Sequence, residues 1–437
     1  MPEPEAITRR TFLKGAAAAA AAPYMITSAA LGAPGRAPAS ERIAVGVIGT
    51  GGQGRGVMRG TMQHATCQIV ALCDVNKQRR EQAKAEVAKH YTGKSDPDAA
   101  KGVKDYSDFR ELVRRDDIDA VIIGTPDHWH AITTIEAARH GKDIYCEKPF
   151  SLTVAEGRAM ADAVKRYGRI FQHGTQQRSD RNFRHAAELA INGYIGDITI
   201  VKVGAPGSAR DNGKHKPTQP PEGFDYDFWL GQAPVAPYYD VVCQSRGWYH
   251  MSPYTAGFIS GWGVHHVDSA HWGMGVDLTG PVELEGKGDY PTQGLYDAAC
   301  TWNVNLAYPN GLKMHFTTNN INAQGVRYEG TKGWVYVRRG HIDANPKSLL
   351  AVKMGPNDQH LYESRHHQGN LLDCIKSRKP TVCPAETGHR SNTVCLISDI
   401  AMRLGRKLKW DPEKEQFPGD DEANRMLSRA MRPPWHL

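Results

Sequence analysis

The run VGVIGTGGQGRG, Val45 to Gly56, constrains the fold of this chain more than any other stretch. An apolar segment ends in Gly49, Gly51 and Gly54, the G-x-G-x-x-G spacing, with Gly52 inside the loop and a helix-like pattern after it. In a strand–turn–helix of this kind the first glycine permits the tight turn. The second lets backbone approach a pyrophosphate, and the third permits close strand–helix packing. The helix N-terminus then presents N–H groups and partial positive charge to the phosphates. A second strand-like run, ALCDVN, ends in Asp74, at the distance where a carboxylate holds the adenosine ribose hydroxyls. Asp74 favours NAD, because a carboxylate repels a ribose 2′-phosphate, while Arg79 and Arg80 leave NADP possible.

The remaining pattern divides the chain. Ile43–Ile48, Ile69–Cys73, Ala120–Ile123 and Asp143–Cys146 are short and apolar, bounded by Gly, Asp or Pro, as strands covered on both faces are. Helix-like segments alternate with them: Gly54–His64, Lys77–His90, Ser107–Arg115 and His130–His140. Thr153 to Glu156 is a capping box opening a helix that runs to Tyr167. Alternation on this scale predicts a doubly wound parallel sheet, a Rossmann domain over residues 40–170. From about residue 197 the texture changes to period-2 alternation rich in β-branched and aromatic residues: ITIVKVGA, AACTWNVNLAY, LKMHFTTN, GVRYEG and GWVYVRR, with a turn at Pro309, Asn310 and Gly311. This predicts a domain over 171–410 built on a mostly antiparallel open sheet. Residues 205–260, rich in Pro, Gly, Trp and Tyr, should form loops around a pocket, and 411–437 a separate tail. The fold class is α/β followed by α+β.

Residues 1–39 read as a leader and linker. Arg9 and Arg10, then Phe12, Leu13 and Lys14, precede the apolar run Ala16 to Leu31. That run is too rich in Ala, and too interrupted by Pro23, to make a bilayer span of ~20 apolar residues. It resembles a twin-arginine (Tat) export signal, with small residues at 28–30 or 37–39 available to a peptidase, so the protein is expected in the periplasm or otherwise exported, without a stable membrane anchor. The net charge of +7 is mild and its basic residues come in short bursts, which argues against a nucleic-acid partner. Eight Cys residues occur with no CxxC pair, and are expected to be buried thiols.

Two further segments, VIIGTPDHWHA (Val121–Ala131) and IYCEKPFSLTVAEG (Ile144–Gly157), complete a pattern. With them the chain resembles the Gfo/Idh/MocA oxidoreductase family, which includes inositol dehydrogenases and glucose–fructose oxidoreductase. The resemblance covers essentially the whole mature chain. It implies that Thr125, Pro126 and His130 lie along the nicotinamide side, and that Glu147, Lys148 and Pro149 place a lysine between nicotinamide and substrate.

Hydride transfer between a secondary alcohol and nicotinamide needs a group that moves the hydroxyl proton and a charge that polarises the oxygen. Lys148 suits the second task, and partial desolvation next to a cationic nicotinamide is expected to lower its pKa. The first should come from GWGVHHVDSAHWGMG, Gly261 to Gly275. His265 and Asp268 sit three apart on one face of a helix, with Trp272 continuing it. The resemblance implies that His265 is the substrate-site histidine and that an Asp should stand four residues earlier. Gly261 occupies that position, so either Asp268 substitutes or His265 works alone. His265, His266, Asp268 and His271 also permit a metal site or a structural cluster; no metal is expected. Gln176 or Arg178 could reach cofactor or substrate, Trp248, Tyr249 and Trp262 could stack on a sugar or simply pack, and Arg55 could approach phosphate.

These readings give an exported oxidoreductase of a sugar, glycoside or polyol, with Lys148 and His265 as catalytic groups. Its dinucleotide would be held by Gly49, Gly51, Gly52, Gly54, Asp74, Thr125, His130, Glu147, Lys148 and Gln176. The substrate would meet Arg178, His266, Asp268 and Trp248. A cofactor outside the cytoplasm has no pool to exchange with, so it should be tightly bound and reset on the enzyme. An NAD-dependent glycosidase using transient oxidation, and a non-catalytic carbohydrate-binding protein, are the alternatives. A homo-oligomer, dimer or tetramer, is expected from the open sheet.

Overall fold

A computed structural model describes residues 37–93, 102–211, 213–244, 246–309 and 311–437. The leader sequence up to residue 36 and Asn310 of the expected turn lie outside the described residues.

The apolar runs become the largely buried strands β1 (Ile43–Ile48), β2 (Cys67–Cys73), β4 (Ala120–Ile123) and β5 (Asp143–Cys146), joined by the buried β6 (Phe171–His173) and by β3 (Lys104–Tyr106), a polar, mostly exposed edge strand. They form one six-stranded parallel sheet in the order β3-β2-β1-β4-β5-β6. Five helices cross over between them: α1 (Gly52–Met62), α2 (Lys77–Gly93), α3 (Phe109–Val113), α4 (His130–Arg139) and α5 (Val154–Arg166). Val57, Met58 and Met62 of α1 and Val87 of α2 cover one face; Leu112 of α3, Ile135 of α4 and Met160 of α5 cover the other. The capping box is present: Thr153 Oγ1 accepts from the Glu156 N–H, and the Glu156 carboxylate accepts from the Thr153 N–H. β6 carries the sheet past residue 170. Strand order reverses between β1 and β4, which opens a crevice beyond their C-terminal ends.

Alternating residues build the second sheet from β7 (Ile198–Ala205), β8 (Glu283–Asp289), β9 (Thr301–Ala307), β10 (Lys313–Thr318), β11 (Gly325–Gly330), β12 (Gly333–Arg338), β13 (His341–Asn345) and β14 (Leu408–Lys409). The order is β13-β12-β11-β7-β10-β9-β8-β14. β7 runs parallel to β10 and the other pairs are antiparallel, so the sheet is mixed. Its apolar set, including Val201, Val203, Val304, Leu306, Phe316 and Tyr328, is buried beneath α6 (Arg181–Ile191), α7 (Gly263–Met274) and α9 (Ala385–Leu404). Each such side chain contributes about 1.5–3 kcal/mol relative to exposure. Lys202, His315, Asn305, Glu285 and Arg327 pair in register across the opposite face.

The chain then returns to the first sheet. Leu371 and Leu372 of α8 (His367–Ser377) join the core over α1. Residues 411–437 are not a detached tail. Phe417 is fully buried against Trp410, and Trp435 stacks edge-on against Trp129 at 4.8 Å between ring centroids. All eight cysteines are buried free thiols.

Candidate active site

A cavity of about 510 Å³ lies in the crevice beyond β1 and β4, walled on its far side by loops from residues 228–262. Its floor is the glycine turn. Gly49 has φ +85°, the left-handed region, and a Cβ there would lie 2.6 Å from Gly124 C and Thr125 N. A Cβ on Gly54 would lie 1.9 Å from the Gly49 carbonyl oxygen. The turn and the first turn of α1 therefore fit as closely as a pyrophosphate cradle requires. Gly51 and Gly52 line the cavity; Gly54 packs beneath it. Asp74, at the end of β2, also lines it, its carboxylate held by the Thr50 N–H at 2.8 Å and the Asn76 N–H at 2.9 Å.

Two arginines flank the cradle. Arg79 donates to the Cys243 carbonyl at 2.9 Å, and its Nη1 is 3.9 Å from where a Gly51 Cβ would stand. Arg246 reaches in from the opposite wall, with Nη2 3.1 Å from the position of a Gly52 Cβ. Its backbone has φ 64°, unusual for a side chain of this size. Arg80 instead donates to the Asp74 carbonyl and pairs with Asp105, and Arg55 pairs with Glu86 and donates to the Thr50 carbonyl of the turn at 3.4 Å; neither lines the cavity.

At the other end stand the residues of the EKP turn. The Glu147 carboxylate accepts from Gln53 and Gln176, each at 3.0 Å, and from Tyr145 at 3.2 Å. Lys148 Nζ donates to the Tyr249 hydroxyl and to the Gly261 carbonyl, both at 2.8 Å, and Tyr249 also donates to Gly261 O at 2.7 Å. Burial opposes charge on Lys148, but Tyr249, Glu147 and Asp127 outweigh it and the pKa is raised. Desolvation acts in the expected direction, and the groups that act against it are ones sequence alone did not place around the ammonium. His265 also lines the cavity, 2% exposed; burial first, then Lys148 and Arg339, hold its pKa well down, so the imidazole is neutral. Asp127, buried in the same wall, accepts from Thr255 Oγ1 at 2.6 Å, and burial pushes its pKa up to about 7.

The cavity gathers Gly49, Gly51, Gly52, Asp74, Thr125, Glu147, Lys148, Gln176, Trp248 and His265. His130 lies just behind it, with Nδ1 against the Pro149 carbonyl at 2.6 Å and Nε2 against the Thr125 carbonyl at 3.1 Å, and ties the two motifs together. Arg178, His266 and Asp268 do not reach the cavity lining. Arg178, 2% exposed, forks onto Asp268 at 2.7 and 3.0 Å and onto Asp277 at 2.8 and 2.9 Å, with its guanidinium over Trp272. His266 meets the Gly204 carbonyl at 2.7 Å and His271 the Tyr308 hydroxyl at 2.7 Å. Because α7 is buried on every side, His265, His266, Asp268 and His271 diverge to different partners. Asp268 therefore does not stand in for the acid missing at Gly261. Sequence reasoning missed Asp127, although it sits between Thr125 and His130 in the TP motif. It also missed Gln53, Arg246 and Arg339, the last two on loops far along the chain that no motif marks.

Residues 43–175 match the family model described as "Oxidoreductase family, NAD-binding Rossmann fold", and residues 209–437 the model "Oxidoreductase family, C-terminal alpha/beta domain". Residues 6–23 match the twin-arginine translocation signal model. A stretch of 109 residues is 39% identical to an uncharacterized oxidoreductase of Streptococcus pneumoniae, covering 24% of this chain and only 30% of that protein. An inositol 2-dehydrogenase of Rubrobacter xylanophilus is 25% identical over 331 residues, 72% of this chain and 75% of that one. A glycosyl hydrolase family 109 protein of a Shewanella species is 35% identical over 130 residues, 30% of this chain and 28% of that protein. Among solved structures, the aldose-aldose oxidoreductase of Caulobacter crescentus superposes with a TM-score of 0.60 at 18% identity, covering 84% of this chain and 99% of that one. No helix among the described residues is long and apolar enough to cross a membrane.

Proposed function

Since the chain belongs to the Gfo/Idh/MocA oxidoreductase family, we propose that it is an exported, NAD-dependent oxidoreductase acting on a secondary hydroxyl of a sugar, glycoside or polyol, with a tightly held cofactor. The observation that carries the reading is the Lys148 ammonium, fixed between Tyr249 and the Gly261 carbonyl at the inner end of a cavity whose outer end is a dinucleotide cradle. The dinucleotide would supply the hydride acceptor. The glycine turn and the N-terminus of α1, with Arg246 and Arg79 beside them, would bind its pyrophosphate, and Asp74 the adenosine ribose, which favours NAD over NADP. Thr125, Glu147 and Gln176 would bound the nicotinamide.

Lys148 polarises the substrate oxygen and stabilises the negative charge that develops there. His265, neutral in its buried position, accepts the hydroxyl proton. Tyr249 and the Gly261 carbonyl orient the ammonium. His130 holds the EKP turn against the Thr125 loop.

Purified mature protein, denatured, should release NAD(H) detectable by absorbance and mass. Without added cofactor, free sugars should yield reduced cofactor or a keto-sugar, and Lys148→Ala should abolish turnover with fold and nucleotide content intact. Turnover that survives this substitution would refute the assignment. The match to a glycosyl hydrolase family 109 protein favours a second reading, transient oxidation that cleaves a glycoside. Release of phenol from p-nitrophenyl glycosides separates the two.

A further inference from the structure

Arg339 occupies the turn between β12 and β13, at the far end of the second sheet, yet its side chain lines the cavity beside Trp262 and His265. Its guanidinium carbon is 5.0 Å from the centroid of the Trp262 indole. Among the described residues no carboxylate lies within 4.0 Å of it; the acids that act on it from farther off are Glu147 and Asp180. Glu147 is already held by Gln53, Gln176 and Tyr145, and Asp180 caps α6 through the Asn182 and Phe183 N–H groups. Beside this free guanidinium are two buried polar atoms without partners, Trp262 Nε1 and His265 Nδ1. An indole N–H and a guanidinium donate and cannot accept. The carboxyls at this end of the cavity already have protein donors, Glu147 three and Asp127 the Thr255 hydroxyl, so the charged group left without a partner beside His265 is the Arg339 guanidinium.

We propose that Arg339, with Trp262 Nε1, binds an oxyanion carried by the substrate, so that the substrate class is an acidic carbohydrate: a hexuronic acid, or a sugar ester of phosphate or sulfate. The inference rests on the oxidoreductase reading for what happens to the sugar, but binding can be measured apart from turnover. A planar guanidinium engages a carboxylate or phosphate with two parallel hydrogen bonds, which fixes both the position and the orientation of the ring. A substrate gripped there projects its ring toward Lys148 and His265.

The test titrates the purified protein, by tryptophan fluorescence, with hexuronic acids of gluco, galacto and manno configuration, with the parent hexoses, and with hexose 6-phosphates and 6-sulfates. At least one acidic series should bind about 10- to 100-fold more tightly than its neutral parent, as expected for a charge-assisted pair. Preference among the three arms tells carboxylate from ester. Arg339→Gln should erase that difference while leaving the affinity for the neutral parent and the bound NAD content within about twofold of wild type. Arg339→Lys should restore only part of it. Equal binding of acidic and neutral sugars, or an equal loss of both in Arg339→Gln, would overturn the proposal. Absence of NAD from the protein would instead overturn the oxidoreductase reading, and leaves this binding difference to stand or fall separately.

Discussion

The Tyr249 hydroxyl occupies the space where a side chain at Gly261 would begin: a Cβ there would lie 2.2 Å from it. The same hydroxyl is one of two groups that hold the Lys148 ammonium. Loss of an acid at position 261 and gain of a tyrosine contact to the lysine are thus one arrangement. Gly261→Ala should push the Tyr249 ring away from Lys148 and lower kcat by about 10²-fold, the scale of a 1 Å misplacement of a catalytic group. NAD content measured on the same sample should not change. A Gly261→Ala enzyme with wild-type kcat would show that the contact does not matter.

Asp127 sets a pH dependence. Its pKa is raised by burial to about 7, so its carboxylate forms only as pH rises through that value, and then adds negative charge near Lys148. The kcat/KM profile should show an inflection near pH 7 that is missing in Asp127→Asn. For stability the direction follows from the same shift. The neutral carboxyl favours the fold at pH below its ordinary value of 3.8, and that contribution is lost as pH rises through about 7. Asp127→Asn should flatten this part of a denaturation series; an unchanged slope would count against the buried placement.

Arg246 should govern retention of the dinucleotide. It approaches the phosphate cradle from the opposite wall, so it can close on a ligand already seated against Gly51 and Gly52. In Arg246→Ala the rate at which NAD is lost on dialysis should rise about 10- to 100-fold, the range of one charge-assisted contact. Thermal stability of the emptied protein should match that of emptied wild type. Equal loss rates in the two proteins would remove Arg246 from the cradle.

Asp268 should behave as a structural residue. It is fully buried and faces Arg178, Ser391 and Cys383 rather than the cavity. Asp268→Ala leaves Arg178 with Asp277 alone and should cost about 3–5 kcal/mol of stability, measured by denaturant titration. KM of the surviving folded fraction should be unchanged. A raised KM with wild-type stability would return Asp268 to the substrate site.

What could be read from the sequence was what depends on short spacings. The turn at Gly49–Gly54, Asp74 at the end of β2, the Thr125 and Glu147–Pro149 motifs and the capping box at Thr153 each involve neighbours in sequence, and each lies in the structure where local geometry puts it. Strands β8 and β13 gave no such signal: ELEGKGD and HIDAN lack a run of β-branched residues, and pairing with their neighbours decides their conformation. Helical spacing placed His265 and Asp268 on one face, which is true but uninformative in a helix buried all round. There, about 60° of rotation separates a cavity from a core ion pair. Arg246, Arg339 and Tyr249 reach the site from loops whose course no local rule dictates.

The contact between Trp435 and Trp129 has a consequence for assembly. Trp129 is part of the cavity wall, and the ring that backs it comes from far along the described chain. The packing behind that part of the wall is therefore completed only by residues synthesised long after the first domain. A chain stopped short of Trp435 would present Trp129 to the cavity without the ring that backs it.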